Sequence, residues 1–360
     1  MKRICICLLM VPIFFACRNS KKIPVVDAIH ADVKIERFDQ DFFALDTSHL
    51  DEGLQQLYFK YPGFTADYLY NIIGSEPFPD TVIKRVKQLL YDYKSVYADA
   101  SKLYNDFSPI AKQVNEGFRF IKHYYPTYNL PDTLVAYLGP WDAMFMLSNK
   151  SGGSSIMRDG NKMGIGLQLF MGKDYSVYKE EGFKNLYPDY VSRRFDKIYI
   201  PINIVKVIID DMYPDHSAGL TLIEQMVEAG KRMYLLDAFL PYTADSLKIG
   251  YTNEQLKGCY ENESNIWGLF VNNDLLFTTE PALMKDYMND APNTAVLGEK
   301  SPGMIGHFTG WQIVKKWMEK KDKKTLPDLM KTPPKQIFEE SKYKRLPAST
   351  ICSINVRPAL

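Results

Sequence analysis

The sequence lacks an excess of charge of either sign. Its 44 basic and 43 acidic residues leave a formal net charge of +1 over 360 residues. Nucleic-acid-binding proteins normally carry a surplus of Lys and Arg on one face, so we expect no nucleic-acid partner. Disorder is excluded as well, because 46% of the residues are hydrophobic and only 24% are charged. The composition predicts a folded protein with a large core that is rich in aromatic side chains.

The signatures of several enzyme classes are also missing. The chain has five histidines, and the closest two, His30 and His49, are nineteen positions apart, so the HExxH zinc motif cannot occur. No GxSxG nucleophile pattern and no glycine-rich phosphate loop is present. A catalytic set assembled from distant residues leaves no such local trace. Because the local signatures are missing, we expect no catalytic residue, no metal and no cofactor, and a catalytic set assembled from distant residues is the alternative.

The first residues predict export and a lipid anchor. Lys2 and Arg3 precede an apolar run from Ile4 to Ala16, which is too short to cross a hydrocarbon core of about 30 Å. We interpret residues 1–16 as a signal peptide and Cys17 as the acylated first residue of the mature chain. The other interpretation is a stray third cysteine in a leader that already contains Cys5 and Cys7.

This interpretation divides the chain into three parts: the signal peptide, a lipidated tether over residues 17–24, and a single compact domain over 25–360. It also predicts a location in the cell envelope, with the body facing the periplasm and held at a membrane through Cys17. The sequence does not distinguish the inner from the outer membrane.

Two further cysteines, Cys259 and Cys352, follow the leader. They either form a disulfide bridge or remain two buried thiols, and their spacing favours neither. Cys259 lies in a helical pattern, and Cys352 lies in a predicted C-terminal strand over 350–354. The chain has no CxxC pattern and no Cys/His cluster, so a structural zinc site is not expected.

The hydrophobic periodicity predicts an α+β protein that is mainly helical, with one small β-sheet. Strands are expected at 33–38 and 163–169, and a short apolar run lies between them at 133–138. In the strand at 163–169, Gly164 and Gly166 share a face on which a neighbour lies close. Predicted helices run from residue 81 to 100, from Ser108–Pro109 with Ser108 as the cap, from Pro201, from Thr221 to Leu240, from the capping box at Thr252 to Phe270, and from Gly303 to Lys320.

Two of these helices, 221–240 and 303–320, are expected to pack together at the centre of the domain. Both have broad apolar faces, and Gly306 and Gly310 are spaced to lie on one side of the second helix. Trp311 then belongs to the core. The alternative is that Trp311 lines an exposed groove to which a partner binds.

Three polar residues are candidates for chemistry. Glu224 and Glu228 lie four apart on one helix face, the spacing of paired metal ligands. A solvated face is the other interpretation, because Lys231 and Arg232 follow within one turn. His307 is interpreted more simply as a hydrogen-bonded core histidine than as a ligand. Together with Trp311, these residues make up the candidate cleft.

Three stretches resemble the gliding-motility lipoprotein B family. They are residues 35–43 (Ile-Glu-Arg-Phe-Asp-Gln-Asp-Phe-Phe), 61–64 (Tyr-Pro-Gly-Phe) and 302–311 (Pro-Gly-Met-Ile-Gly-His-Phe-Thr-Gly-Trp). The similarity extends over the mature chain and includes the leader with Cys17. The resemblance implies a membrane-anchored envelope protein, required for surface gliding, whose partners are proteins of the gliding and secretion machinery.

A more distant resemblance concerns zinc peptidases of the gluzincin type. Glu228-Ala229-Gly230 stands where those proteins carry the third metal ligand, but the helix over 201–211, which should carry HExxH, has only Lys206 and two terminal aspartates as charged residues. This resemblance implies a zincin-like body that has lost its metal and binds protein partners without hydrolysis. The alternative function is a divergent hydrolase that uses Glu224, Glu228 and His307.

Overall fold

A computed structural model describes residues 23–146, 153–321 and 323–343. The predicted leader, Cys17 and the segment around Cys352 lie outside these residues. The described part is mainly helical with a small sheet, which confirms the predicted α+β class. None of its helices is both long enough and apolar enough to cross a membrane.

The described residues form short strands. These are β1 (Lys34–Arg37), β2 (Thr133–Tyr137), β3 (Phe145–Met146), β4 (Gly153–Ser154), β5 (Ile156–Asp159) and β6 (Lys162–Gly166). Four of them form one sheet in the order β1-β2-β6-β5, in which β1, β2 and β6 are parallel and β5 is antiparallel to β6. The other two strands, β3 and β4, pair with each other as a separate antiparallel ribbon.

Strand β2 separates two hydrophobic cores. Successive side chains of a strand point to opposite faces, so Leu134 and Ala136 join the larger core while Val135 and Tyr137 join the smaller one. The register places Gly164 opposite Val135, on the smaller core's side. A Cβ at Gly164 would lie 3.2 Å from the Phe64 ring, so the predicted close approach to this glycine face is confirmed.

Of the helices before the middle of the sheet, the first four pack around the smaller core and the next two contribute to the larger one. They are α1 (Phe38–Phe43), α2 (Leu50–Lys60), α3 (Phe64–Asp67), α4 (Pro79–Asp92), α5 (Lys94–Leu103) and α6 (Ser108–Tyr124), and a π-helical turn, Tyr68–Ile72, follows α3. The predicted continuous helix over 81–100 is wrong at Tyr93, where α4 ends and α5 begins. The Tyr93 hydroxyl accepts a hydrogen bond from the Trp141 backbone N–H at 2.9 Å, which ties this point to a distant loop.

The helices after the sheet surround the larger core. They are α7 (Glu181–Leu186), α8 (Asp189–Ser192), α9 (Ile200–Met212), α10 (Leu222–Phe239), α11 (Asp245–Ile249), α12 (Asn253–Glu261), α13 (Glu263–Asn272), α14 (Pro281–Met288), α15 (Ile305–Glu319), α16 (Leu326–Lys331) and α17 (Pro334–Ser341). Short 3₁₀ turns lie at Leu167–Leu169, Ser176–Lys179, Lys197–Tyr199 and Ala295–Leu297. The segment predicted to be helical from Thr252 to Phe270 is divided at Asn262 into α12 and α13.

Other predicted boundaries differ for local reasons. The strand expected to reach residue 169 ends at Gly166, because Gln168 turns inward and its Oε1 accepts a hydrogen bond from the Gly139 N–H at 3.0 Å. Ser108 is the first residue of α6 and not its cap, and the Asp106 carboxylate accepts from the Ser108 N–H at 2.8 Å. The capping box at Thr252 is confirmed, with its side chain accepting from Gln255 N–H at 3.1 Å.

Candidate functional site

Helices α10 and α15 cross in direct backbone contact, which confirms the predicted central pair. A Cβ on Gly310 would lie 1.6 Å from the Met226 carbonyl oxygen, and one on Gly230 would lie 2.2 Å from the Gly310 carbonyl oxygen. Gly306 also faces Met226, since a Cβ added there would lie 3.3 Å from the Met226 Cγ. Only glycine allows the two backbones to come this close, so the crossing fixes the relative position of the two helices.

Trp311 lies in the core beside this crossing and is fully buried. Its Nε1–H donates to the Asp237 carboxylate at 2.7 Å, so the ring is fixed to the last turn of α10. Lys315 Nζ lies 3.4 Å from the centre of the indole ring. The placement agrees with the core interpretation of Trp311 and gives the exposed-groove alternative no support.

Asp237 is the centre of a partly buried ionic cluster. Lys248 Nζ lies 2.8 Å from Asp237 and 3.0 Å from Asp245, and Lys315 lies 3.6 Å from Asp237. Burial raises the pKa of Asp237, while the neighbouring lysines oppose that rise. The cluster fixes α11 and α15 to the carboxyl-terminal end of α10.

Glu224 belongs to the beginning of α10. Its carboxylate accepts a hydrogen bond from the Thr221 N–H at 3.0 Å, and the two residues form a reciprocal capping box. This interaction satisfies backbone groups that the first turn of a helix otherwise leaves without a partner. The sequence offered this cap as well, because Thr-x-x-Glu over residues 221–224 is the same kind of pattern as the Thr-x-x-Gln that predicted the cap at Thr252.

Glu228 belongs to a structural ion pair. Lys231 Nζ lies 2.6 Å from the Glu228 carboxylate and also donates to the Thr332 carbonyl at 2.7 Å. Lys231 is almost completely buried, and burial lowers its pKa. The pair therefore fixes the segment between α16 and α17 to α10. Lys231 compensates the charge of Glu228 as predicted, but the interpretation as a solvated face is wrong, because Lys231 and Arg232 are buried.

His307 lies in the first turn of α15 and is buried. Its Nε2–H donates to the Met288 carbonyl at 3.1 Å, as expected for a hydrogen-bonded core histidine. Burial lowers the pKa of His307 to about 4, and the positive charge of Lys206 adds to this effect. The imidazole is therefore neutral at pH 7.

One edge of His307 faces a cleft between α9, α10, α11 and the beginning of α15. The space in it that water can enter is small, about 20 Å³, and the cleft opens to solvent. Its charged lining residues are Lys206, Arg232 and Lys248, and no acidic side chain lines it among the residues described. We call this space the cationic cleft.

Of the four predicted cleft residues, the structure brings only His307 to this place. Glu224, Glu228 and Trp311 are absent from the described lining and have the structural partners given above. Sequence reasoning missed Lys206 and Arg232. A signal for Lys206 existed, because it is the one charged residue in the stretch of α9 from 201 to 209.

Metal ligands are not assembled in the described part of the molecule. No group of three or more His, Cys, Asp and Glu side chains there is placed to hold a metal ion. Cys259 is a buried free thiol whose pKa burial raises to about 12, and its predicted relation to Cys352 lies outside the described residues.

The model of the family described as "Gliding motility protein GldB" matches residues 19–345. The chain belongs to the gliding motility protein GldB family. This membership confirms the first resemblance and associates the protein with gliding motility, in a family that is named as one of lipoproteins. No curated protein and no solved structure matches the chain. The resemblance to zinc peptidases therefore stays a prediction.

Proposed function

We propose that this GldB family member is a cell-envelope lipoprotein that serves gliding and the associated secretion machinery through protein contacts, without hydrolysing a substrate. Acyl chains on Cys17 hold it at the membrane, with the body in the periplasm. Family membership over residues 19–345 is the observation that carries the proposal. The leader, with its basic start, short apolar run and Ala16–Cys17 junction, supports the anchor.

The anchor is tested by replacing the cysteine. Cys17→Ser should leave the protein unprocessed or soluble, because no thiol remains to be acylated. Labelled palmitate and membrane fractionation measure this directly. Cys5→Ser and Cys7→Ser are matched controls in the same leader, and both should be labelled like the wild type. Labelled, membrane-bound Cys17→Ser protein would contradict the assignment.

The proposal that the protein does not hydrolyse a substrate is supported by the structural contacts that the candidate side chains already make. Glu224 caps α10, Glu228 pairs with Lys231, and His307 donates to the Met288 carbonyl. A general base or metal ligand needs a carboxylate or imidazole that reaches substrate or metal. These contacts account for all three residues as parts of the framework.

The peptidase-like scaffold is the structural part of the proposal. In the resemblance to gluzincins, α9 and α10 correspond to the helices that would carry the metal ligands, and the two helices pack against each other. Toward the cationic cleft they present Lys206 and Arg232. Cations at this position repel Zn²⁺, which is consistent with a scaffold that has lost its metal.

Motility and metal content test this part together. Glu228→Gln and His307→Gln should restore gliding to a gliding bacterium from which the native family member is deleted, because neither residue acts on a substrate. Thermal unfolding of both variants checks that they fold. The purified wild type should hold far less than one equivalent of zinc after dialysis. Stoichiometric zinc, or a folded Glu228→Gln protein that cannot restore motility, would favour the divergent hydrolase instead.

Protein contacts are expected on exposed aromatic side chains near the smaller core. Phe59 of α2 and Tyr91 of α4 are 92% and 82% exposed. Contact with a partner would remove these apolar side chains from water. Phe59→Ser and Tyr91→Ser should weaken motility while the melting temperature stays unchanged. Exposed Lys112→Ser is the control, and full motility in both aromatic variants would remove this surface from the proposal.

A further inference from the structure

The cationic cleft contains a lysine, Lys206, that forms no direct ion pair with any residue the structure describes. Lys206 projects from α9 into the interior and is only partly reached by solvent. It has no hydrogen bond or ion pair with any described residue. It also lines a second small space of about 30 Å³ together with Arg194 and Asn203, so it stands between two adjoining openings.

The neighbouring cations already have acidic partners. Arg194 pairs with Asp290, Arg232 Nη1 lies 3.4 Å from Asp210, and Lys248 pairs with Asp237 and Asp245. Each of these carboxylates is already paired, and none lines the cationic cleft. Lys206 is therefore the excess positive charge of this region.

Arg232 adds an unused donor. Its side chain is only 6% exposed, and it lines the cleft. Its Nη2 donates to the Tyr213 carbonyl, but its Nε–H has no partner within the described part of the chain. A buried donor without a partner costs about 1–3 kcal/mol, more when the group is charged. An acceptor supplied from outside would satisfy it.

The beginning of α15 meets the same space. Met304, which precedes the helix, lines the cleft in a left-handed conformation with a φ of 52°. No described side chain caps this 15-residue helix at its first turn. The amino-terminal end of a helix carries a partial positive charge and favours anions. The helix therefore adds to the positive potential that the side chains create.

We infer that the cationic cleft binds an oxyanion, a carboxylate or a phosphate group, with Lys206 as its ion-pair partner and Arg232 Nε–H as a further donor. The inference is independent of the role in gliding, since it rests on the charges and donors of the cleft alone. A free small anion and the anionic group of a larger molecule would both satisfy these groups.

Anion-dependent unfolding tests the inference on the purified full-length protein. Melting temperatures are measured at pH 7 while sodium chloride is replaced by sodium acetate or sodium phosphate at constant ionic strength. A ligand that binds the folded state raises the melting temperature with a saturable dependence on its concentration. Acetate stabilisation alone indicates a carboxylate site, and stabilisation by phosphate indicates a phosphate site.

Variants assign the effect to the cleft. Lys206→Met should lower the apparent affinity at least tenfold, whereas Lys206→Arg, which keeps the charge, should retain most of it. Lys112→Met removes an exposed lysine and should behave like the wild type. Isothermal titration with the same anion gives a second measure that does not depend on melting. Equal responses of the wild type and Lys206→Met, or no saturable response to either anion, would overturn the inference.

Discussion

Helix α10 presents two different faces to its neighbours. Toward α15 it shows Met226 and Gly230, and the two backbones touch. Toward α9 it shows Ala229 and Arg232, and the helices leave a cleft that holds Lys206. The first face is close-packed and uncharged at the crossing, so it has no room for a ligand. The second face keeps buried charges apart and leaves space between them.

The difference shows how one helix can serve both stability and binding. Backbone contact requires glycine and tolerates no added atom, so the α15 face is expected to be sensitive to every enlargement. The α9 face costs stability, because buried charge without a full set of partners is unfavourable. We therefore expect substitutions on the two faces to act in opposite directions.

The largest effect is expected from Gly310→Ala. Its Cβ would lie 1.6 Å from the Met226 carbonyl oxygen, which is backbone and cannot rotate away. The helices must separate, so we expect a loss of more than about 4 kcal/mol or failure to fold. Urea unfolding measures it. Gly182→Ala is the control, because no heavy atom lies within 4 Å of that Cβ and stability should be unchanged or slightly higher. If both variants were similarly stable, the claim that the α10–α15 crossing tolerates no added atom would be wrong.

Trp311→Ala is expected to have the next largest effect. The substitution leaves a cavity beside the crossing and removes the indole N–H that donates a hydrogen bond to Asp237 at 2.7 Å. Large-to-small changes of this kind cost about 3–5 kcal/mol. Thermal melts measure the loss, and Trp311→Phe should retain part of the stability because it fills more of the space. A melting temperature of Trp311→Ala within a degree of wild type would remove Trp311 from the core.

These two faces also show what sequence reasoning can reach. The crossing was predictable because its causes are local: glycines spaced four apart and a broad apolar stripe determine which sides of the helices can touch. The role of Glu224 was equally accessible through its spacing from Thr221. The break at Tyr93 was not, because the apolar period continues through it and the partner, Trp141, is far away in the chain.

The cationic cleft was beyond sequence reasoning for a related reason. It depends on the distance between α9 and α10 and on which carboxylates form ion pairs with the Lys and Arg side chains of the cleft. Neither is determined by the spacing of residues along one helix. Lys206 is distinguishable in the sequence only as an isolated charge. Its lack of a partner becomes visible when the positions of Asp210, Asp237 and Asp290 are known.

A third prediction concerns how the stability contributed by His307, which lines the cleft, changes as the pH falls. The pKa of His307 is lowered to about 4 by burial, whereas in the unfolded chain it is near 6.5. As the pH falls from 6.5 to 4, the unfolded chain binds a proton there and the folded chain does not. Stability contributed by the neutral histidine is therefore present above pH 6.5 and lost toward pH 4, by up to about 3 kcal/mol.

Urea unfolding of the wild type and His307→Gln measures this loss. Glutamine keeps an N–H that can reach the Met288 carbonyl but does not titrate. The stability of the wild type relative to the variant should therefore fall as the pH decreases from 6.5 to 4. Parallel curves would show that His307 titrates in the folded protein as it does in the unfolded chain.

The smallest effect, and the one of opposite sign, is expected from Lys206→Met in chloride buffer without carboxylate or phosphate. Methionine keeps much of the apolar stem and removes the charge, so stability at pH 7 should rise by about 1–2 kcal/mol. Burial lowers the pKa of Lys206 to about 8, with Arg194 lowering it further and Asp290 opposing. Between pH 8 and 10 the unfolded lysine keeps its proton while the folded one loses it, so the wild type gains stability and the difference from Lys206→Met shrinks. Lys206→Arg keeps its charge and should show no such gain. His307 is neutral in this range, and Arg232 and Lys248 are present in all three proteins, so these groups do not change the comparison. If the difference in stability from Lys206→Met stayed constant between pH 8 and 10, Lys206 would have a counterion in solution. The charges on the α9 face of α10 would then be as fully paired as the contacts on its α15 face.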